Sequence, residues 1–137
     1  MEQVGNRSIV AEAFRGWMNG TRYVTDLLAD DVDWEIVGQS LASKRYQGKQ
    51  RFIDEVLHPF GARFATAFRP TGVRGIYGDG DTVVVLWDGE GIALDGVAYK
   101  NTYAWFLTMR EGLVVKAVAF FDSIAFNDLW RRVQPRS

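Results

Sequence analysis

The chain contains no cysteine and a single histidine, His58, so neither a disulfide scaffold nor a structural zinc site can be built from it. Prolines are few, and no Pro/Ser-rich linker, low-complexity stretch or internal repeat divides the sequence. Excess charge of one sign is also missing. Sixteen basic against seventeen acidic residues leave a net charge of -1, which supplies no electrostatic drive toward nucleic acid or an anionic membrane. No apolar run is longer than that of Val83 to Trp87, far short of the roughly 20 residues needed to span a bilayer. Met1-Glu2-Gln3 lacks the basic and apolar parts of a signal peptide. These absences predict a cytoplasmic protein with no nucleic-acid or membrane partner.

What is present is 137 residues with 47% hydrophobic and 24% charged content, the proportions of one ordinary globular domain over 1–137. Folding at this length removes about 68% of the unfolded chain's surface from water, enough for a core without staples. Aromatics stand out at 14%, with five tryptophans. Such side chains line a cavity for a small apolar molecule, cover a subunit interface, or simply fill a core of large residues.

From Arg7 to Asn19, Ile9, Val10, Ala13, Phe14, Trp17 and Met18 form one face of a helix ending at Gly20. Thr21 is a candidate cap for a second short helix carrying Tyr23, Val24, Leu27 and Leu28. Val32, Trp34 and Ile36 then alternate with Asp33 and Glu35 as a strand closed by Gly38. A polar loop through Lys44, Arg45 and Tyr46 leads to a helix over Gln50 to Phe64, with a kink expected at Pro59. Four strands follow, near Ala67 to Tyr77, Thr82 to Glu90, Val97 to Met109 and Leu113 to Asp122, separated by glycine turns such as Glu111-Gly112. Ser123 starts a last helix. The pattern predicts an α+β domain in which helices cover one face of a strongly bent antiparallel sheet and leave a cavity there.

Familiar motifs fail on inspection. Gly72, Gly75 and Gly78 do not stand between a strand and a helix N-terminus, so they cradle no phosphate. Asp79, Asp81 and Glu90 have calcium-loop spacing, but Val83 to Val85 occupy the middle of it. No serine sits in a nucleophile elbow, and His58 lies off the apolar stripe of its helix, where it reads as solvated or capping. No metal or cofactor is called for. The remaining candidate is Asp122, at the end of the last strand and on the side of Phe120 and Val118. Facing a cavity, its carboxyl would be desolvated into a general acid or base; facing the next helix, it would be a cap. Its position suits both.

Leu28-Ala29-Asp30-Asp31-Val32-Asp33-Trp34, Tyr99-Lys100-Asn101-Thr102-Tyr103, and Glu111-Gly112-Leu113-Val114 leading to Phe121-Asp122 together resemble the SnoaL-like branch of the nuclear transport factor 2-like (NTF2-like) superfamily. Its members include polyketide cyclases, ketosteroid isomerases and limonene-epoxide hydrolases. The resemblance implies a cystatin-like cone: a strongly bent mixed or antiparallel sheet with helices packed on its concave face around an apolar pocket. It also implies that Asp122 is a catalytic acid or base and that Trp34 faces the pocket. On that register Ile36, Ala104, Phe106, Phe120 and Ile124 face inward, while Tyr103 and Trp105 face outward. Two departures matter. Val83 to Trp87 lacks the arginine and aspartate of the epoxide hydrolases, and Glu35 falls on the wrong face for the proton-shuttling aspartate of the isomerases.

Two functions follow. One is a cofactor-free isomerase, cyclase or hydratase in which Asp122 moves a proton on a small apolar substrate, with Lys100, Thr102 or Tyr46 as the donor that stabilises an enolate. The other is a non-catalytic binding or dimerisation module in which Asp122 only caps. Trp87, Tyr103 and Trp105 on the outer face predict a homodimer through that face.

Overall fold

A computed structural model describes residues 5–136, so the Met1-Glu2-Gln3 start lies outside the described residues. Helix α1 (Asn6–Met18) is followed by a 3-10 turn (Val24–Leu27), strands β1 (Leu28–Ile36) and β2 (Arg45–Gln47), and a helical run made of α2 (Lys49–Phe52), a π segment (Ile53–Leu57) and α3 (His58–Gly61). Four long strands then run in succession: β3 (Phe64–Asp79), β4 (Thr82–Ala93), β5 (Ala98–Arg110) and β6 (Leu113–Phe121), before the last helix α4 (Ser123–Arg132).

The six strands form one sheet in the order β2-β1-β6-β5-β4-β3. All neighbours are antiparallel except β1 and β6, which run parallel. The fold is therefore α+β with a mixed, open sheet, as expected. Hairpin turns fall where glycine was read: Glu111 and Gly112 both take positive φ (53° and 78°) between paired Arg110 and Leu113, the backbone that a two-residue hairpin of matching twist requires. Four register shifts along the β3–β4 pair bend the sheet, and Pro70 is tolerated because β3 is an edge strand. At that bend Gly89 is essential in a simple steric sense. A Cβ there would meet the Phe68 ring at 2.3 Å, so the missing side chain lets β3 lay its aromatic over β4.

Three local expectations change. The segment after Thr21 forms only a 3-10 turn, and β1 begins four residues earlier than the alternation of Val32, Trp34 and Ile36 implied. Arg45 to Gln47, read as loop, is a short strand against β1. The helix kink is a π segment directly before His58 and Pro59; proline has no N–H to donate to the preceding turn, and the ladder re-forms with a wider one.

The larger correction concerns the faces of β4, β5 and β6. Trp87, Tyr103, Trp105 and Phe121 are buried on the concave face, whereas Phe106 (47% exposed), Phe120 (52%) and Ile124 (82%) lie outside. Thr102 is exposed and Ala104 half-buried on the same outer side as Phe106. The predicted register was off by one residue, and a one-residue slip exchanges every side chain between faces. The core confirms the observed choice sterically. Trp34 on β1 and Trp105 on β5 meet edge-on at 4.9 Å across the intervening β6, where Ala117 and Ala119 stand opposite them and leave the space.

Helices close the concave face by extending the same aromatic layer. Phe14 of α1 packs on Trp87 and Trp105 at 5.2 and 5.7 Å, Phe52 of α2 stacks on Trp34 at 4.6 Å, and Phe126 of α4 meets Phe121 at 4.8 Å. The buried guanidinium of Arg63 ties α3 to the end of α4 by donating to the carbonyls of Pro59, Val133 and Trp130. The face assignment makes a direct prediction: Trp105→Ala lowers stability by about 3–5 kcal/mol, while Thr102→Ala costs under about 1 kcal/mol. Chemical denaturation checks this, and the opposite ranking would restore the swapped faces.

Candidate functional site

The concave face is not completely filled. An internal cavity of about 80 Å³ remains, lined by Trp34 and Ile36 from β1, Phe68 from β3, Trp87 from β4, Tyr103 and Trp105 from β5, and Ala119 and Phe121 from β6. Its roof is Trp17 of α1, Tyr23 and Val24 at the 3-10 turn, Phe52, Val56, Leu57, Phe60 and Gly61 along the interrupted helix, and Phe126 of α4. One water needs roughly 10–15 Å³ of such space, so the cavity has room for a small organic molecule. None of its lining residues is charged. Tyr23, Leu57 and Gly61 also border an outer groove that contains Thr25, Ile53, His58 and Ala62, so these three residues stand between the cavity and that groove. His58 is exposed there.

Two buried polar features belong to residues of this lining. The first is Trp87 Nε1, a buried indole N–H with no hydrogen-bond partner. The second is a hydrogen-bonded chain that ends at Tyr103. Asn101 Nδ2 donates to the Tyr99 hydroxyl at 2.6 Å, and the Tyr99 and Tyr103 hydroxyls are 2.8 Å apart. Burial pushes the Tyr99 hydroxyl up to about 12 and Tyr103 well above the usual tyrosine range, so both phenols stay protonated at neutral pH.

Asn101 also explains where Asp122 goes. Its Nδ2 donates to the Asp122 carbonyl at 3.0 Å, and its Oδ1 accepts from the Asp122 and Thr102 amides at 3.1 and 2.8 Å. With its backbone held on β5, Asp122 turns its carboxylate outward, where Oδ1 accepts from Ile124 N at 2.9 Å and caps α4. The side chain is exposed and is absent from the cavity lining. The expected catalytic placement of Asp122 is thereby corrected: of the two roles its position suited, the geometry realises the cap.

Of the predicted pocket residues, Trp34 and Ile36 line the cavity. Tyr46 is buried beside Phe52 but donates its hydroxyl to Ala42 O at 2.6 Å, outside the lining. Thr102 donates to Asp88 Oδ1 on the outer face, and Lys100 is exposed there opposite Glu90. Ala104, Phe106 and Phe120 share that outer side, and Ile124 is exposed on α4. Trp87, Tyr103 and Trp105, expected on the outer face, line the cavity, and Asn101 is joined to Tyr103 through Tyr99. A signal was available: Lys100, Thr102, Thr108 and Arg110 share the parity of Phe106, and polar strand ends mark the solvent face.

With this geometry in place, the SnoaL-like domain model matches residues 10–117. The chain belongs to the SnoaL-like domain family. Among solved structures it is similar to TerC co-crystallised with polyporic acid (21% identity, TM-score 0.70, covering 92% of this chain and 98% of that one). It is also similar to a Xanthomonas campestris protein with a cystatin-like fold (19%, TM-score 0.75, 93% and 98%) and to an NTF2-like protein from Burkholderia pseudomallei (18%, TM-score 0.72, 92% and 98%). At these identities the likeness is one of fold. No curated protein matches. Among the described residues, no helix of this SnoaL-like domain is long and apolar enough to cross a membrane.

Two predictions follow. Asp122→Ala should cost about 0.5–2 kcal/mol of stability through the lost cap, with Asp122→Asn retaining most of it, as read by denaturant midpoints. The raised tyrosines add an alkaline limit. Their folded pKa values exceed the unfolded value of about 10, so their contribution is complete below pH 10 and is lost as pH rises from there toward 12. Tyr99→Phe should flatten the fall in denaturation midpoint between pH 9 and 11.5.

Proposed function

We propose that this SnoaL-like domain binds a small, uncharged, mainly apolar molecule inside the cone. The observation that carries this reading is the aromatic cavity without a charged lining residue. Burying apolar ligand surface there gains about 25 cal/mol per Å², and a charged ligand would lose its hydration with nothing to replace it. TerC, a chain of similar fold, was co-crystallised with polyporic acid, which supports the idea that this fold can hold a small organic molecule. Acid–base catalysis by Asp122 receives no support from its geometry, because the carboxylate points away from the cavity and is engaged as a cap.

The tryptophans provide a built-in test. Trp17, Trp34, Trp87 and Trp105 line the cavity and Trp130 does not. Toluene titrated into 15N-labelled protein should shift indole N–H resonances of the lining tryptophans and leave that of Trp130 in place. Equal shifts at Trp130, or none anywhere, would remove the ligand-binding reading.

A second reading rests on the outer sheet face. Leu86, Ala104, Phe106, Val118 and Phe120 form an apolar centre there. At its border Asp88 pairs with Arg74 and Asp33 with Arg45, while Glu90, Lys100, Arg110 and Lys116 lie exposed. A face that is apolar in the middle and carries both signs of charge at its rim fits a second copy of itself better than a partner of one charge. The homodimer is therefore proposed through Phe106 and Phe120 in place of the buried Trp87, Tyr103 and Trp105. Sedimentation should give a dimer at micromolar concentration and a monomer for Phe106→Lys; a monomeric wild type would refute the interface.

A further inference from the structure

We infer that Gly61 keeps open the passage by which a ligand enters and leaves the cavity, with Tyr23 and Leu57 as its other walls. The inference rests on the ligand-binding reading above and adds the route and the residue that controls it.

Exposure locates the passage. Within the cavity lining Tyr23 and Gly61 are exposed and Leu57 and Phe68 are half-buried, while the other lining residues are buried. An internal space comes nearest to solvent where its wall is made of exposed residues. A second observation selects the same place: Tyr23, Leu57 and Gly61 also line the outer groove, whereas Phe68 does not. There the wall is one residue thick. The groove beyond it holds no carboxylate, lysine or arginine, which suits the transit of an uncharged, mainly apolar molecule.

Residue 61 itself fits a passage better than a structural need. Gly61 ends α3 without a positive φ, so its backbone does not call for glycine. Its packing does not either, because a Cβ built there meets nothing within 4 Å. Glycine in a helix is destabilising relative to alanine, and a weakness that neither backbone nor packing requires points to function. Leu57 closes the π segment and lies four residues earlier, on the same side of the helical run. Tyr23 is held edge-on to Trp17 at 5.7 Å. A core ring thus fixes that wall, and side-chain size at position 61 is left to set the width.

Toluene exchange, followed in the line shapes of the cavity tryptophans' indole N–H resonances, tests this. Gly61→Leu should slow association and dissociation alike, each by about tenfold, since a barrier in the mouth is crossed in both directions. Leu57→Ala should speed both. Gly61→Ala should slow both by less and raise the denaturation midpoint, which keeps the test available if the leucine variant fails to fold. A leucine that filled the cavity instead would slow association but speed dissociation; that result, or unchanged rates, would overturn the passage with cavity binding intact. A lowered midpoint for Gly61→Ala would overturn it too, by showing that folding requires the glycine. Wild-type protein with no toluene shift would overturn it together with the ligand-binding reading.

Discussion

The fold depends on the stacking of rings across the concave face, above all Trp87 on Tyr103 and Trp34 edge-on to Trp105. Each such pair is worth about 0.5–1.5 kcal/mol beyond its buried area, and helices α1, α2 and α4 are held by contributing one more ring to the layer. Flat, stiff side chains tile a curved surface imperfectly. Aliphatic side chains can fold into gaps, but rings that meet edge to face from several strands leave a space at the centre of the bend. The cavity is thus a consequence of the same aromatic content that builds the core.

Asn101 connects that layer to the junction of β6 and α4. Its two donors and one acceptor oxygen are all engaged, with the Asp122 backbone on one side and Tyr99 on the other. One buried amide therefore holds both the Asp122 backbone and the Tyr99 hydroxyl. A substitution at Asn101 would disturb the cap and the cavity together, although neither residue type nor position resembles a catalytic motif.

Elements and connections were legible because they rest on local signals: helical spacing in α1, glycine turns between strands, and the Val32, Trp34, Ile36 alternation that gave the faces of β1 but not its start at Leu28. The faces of β4 to β6 were not. Val83 to Trp87 and Tyr103 to Leu107 are apolar at every position, so period two carries no parity within them, and the choice passed to the position of Asp122. A carboxylate at a strand end belongs to the following turn as much as to the strand, which makes it a poor marker of face. The flanking Lys100, Thr102, Thr108 and Arg110 were the better guide, since a cationic side chain has no place in an uncharged cone. Arg45 to Gln47 escaped detection because so short an edge strand has no periodicity to read.

The absence of charge from the cavity lining also limits the chemistry available inside it. Removing a proton there lacks a partner, because among the lining residues no carboxylate or imidazole is present to accept it. Tyrosine raised well above its usual range is a donor and a reluctant base. A reaction in the cavity would thus need its base from the ligand itself or from beyond the lining, and His58 stands exposed in the neighbouring groove.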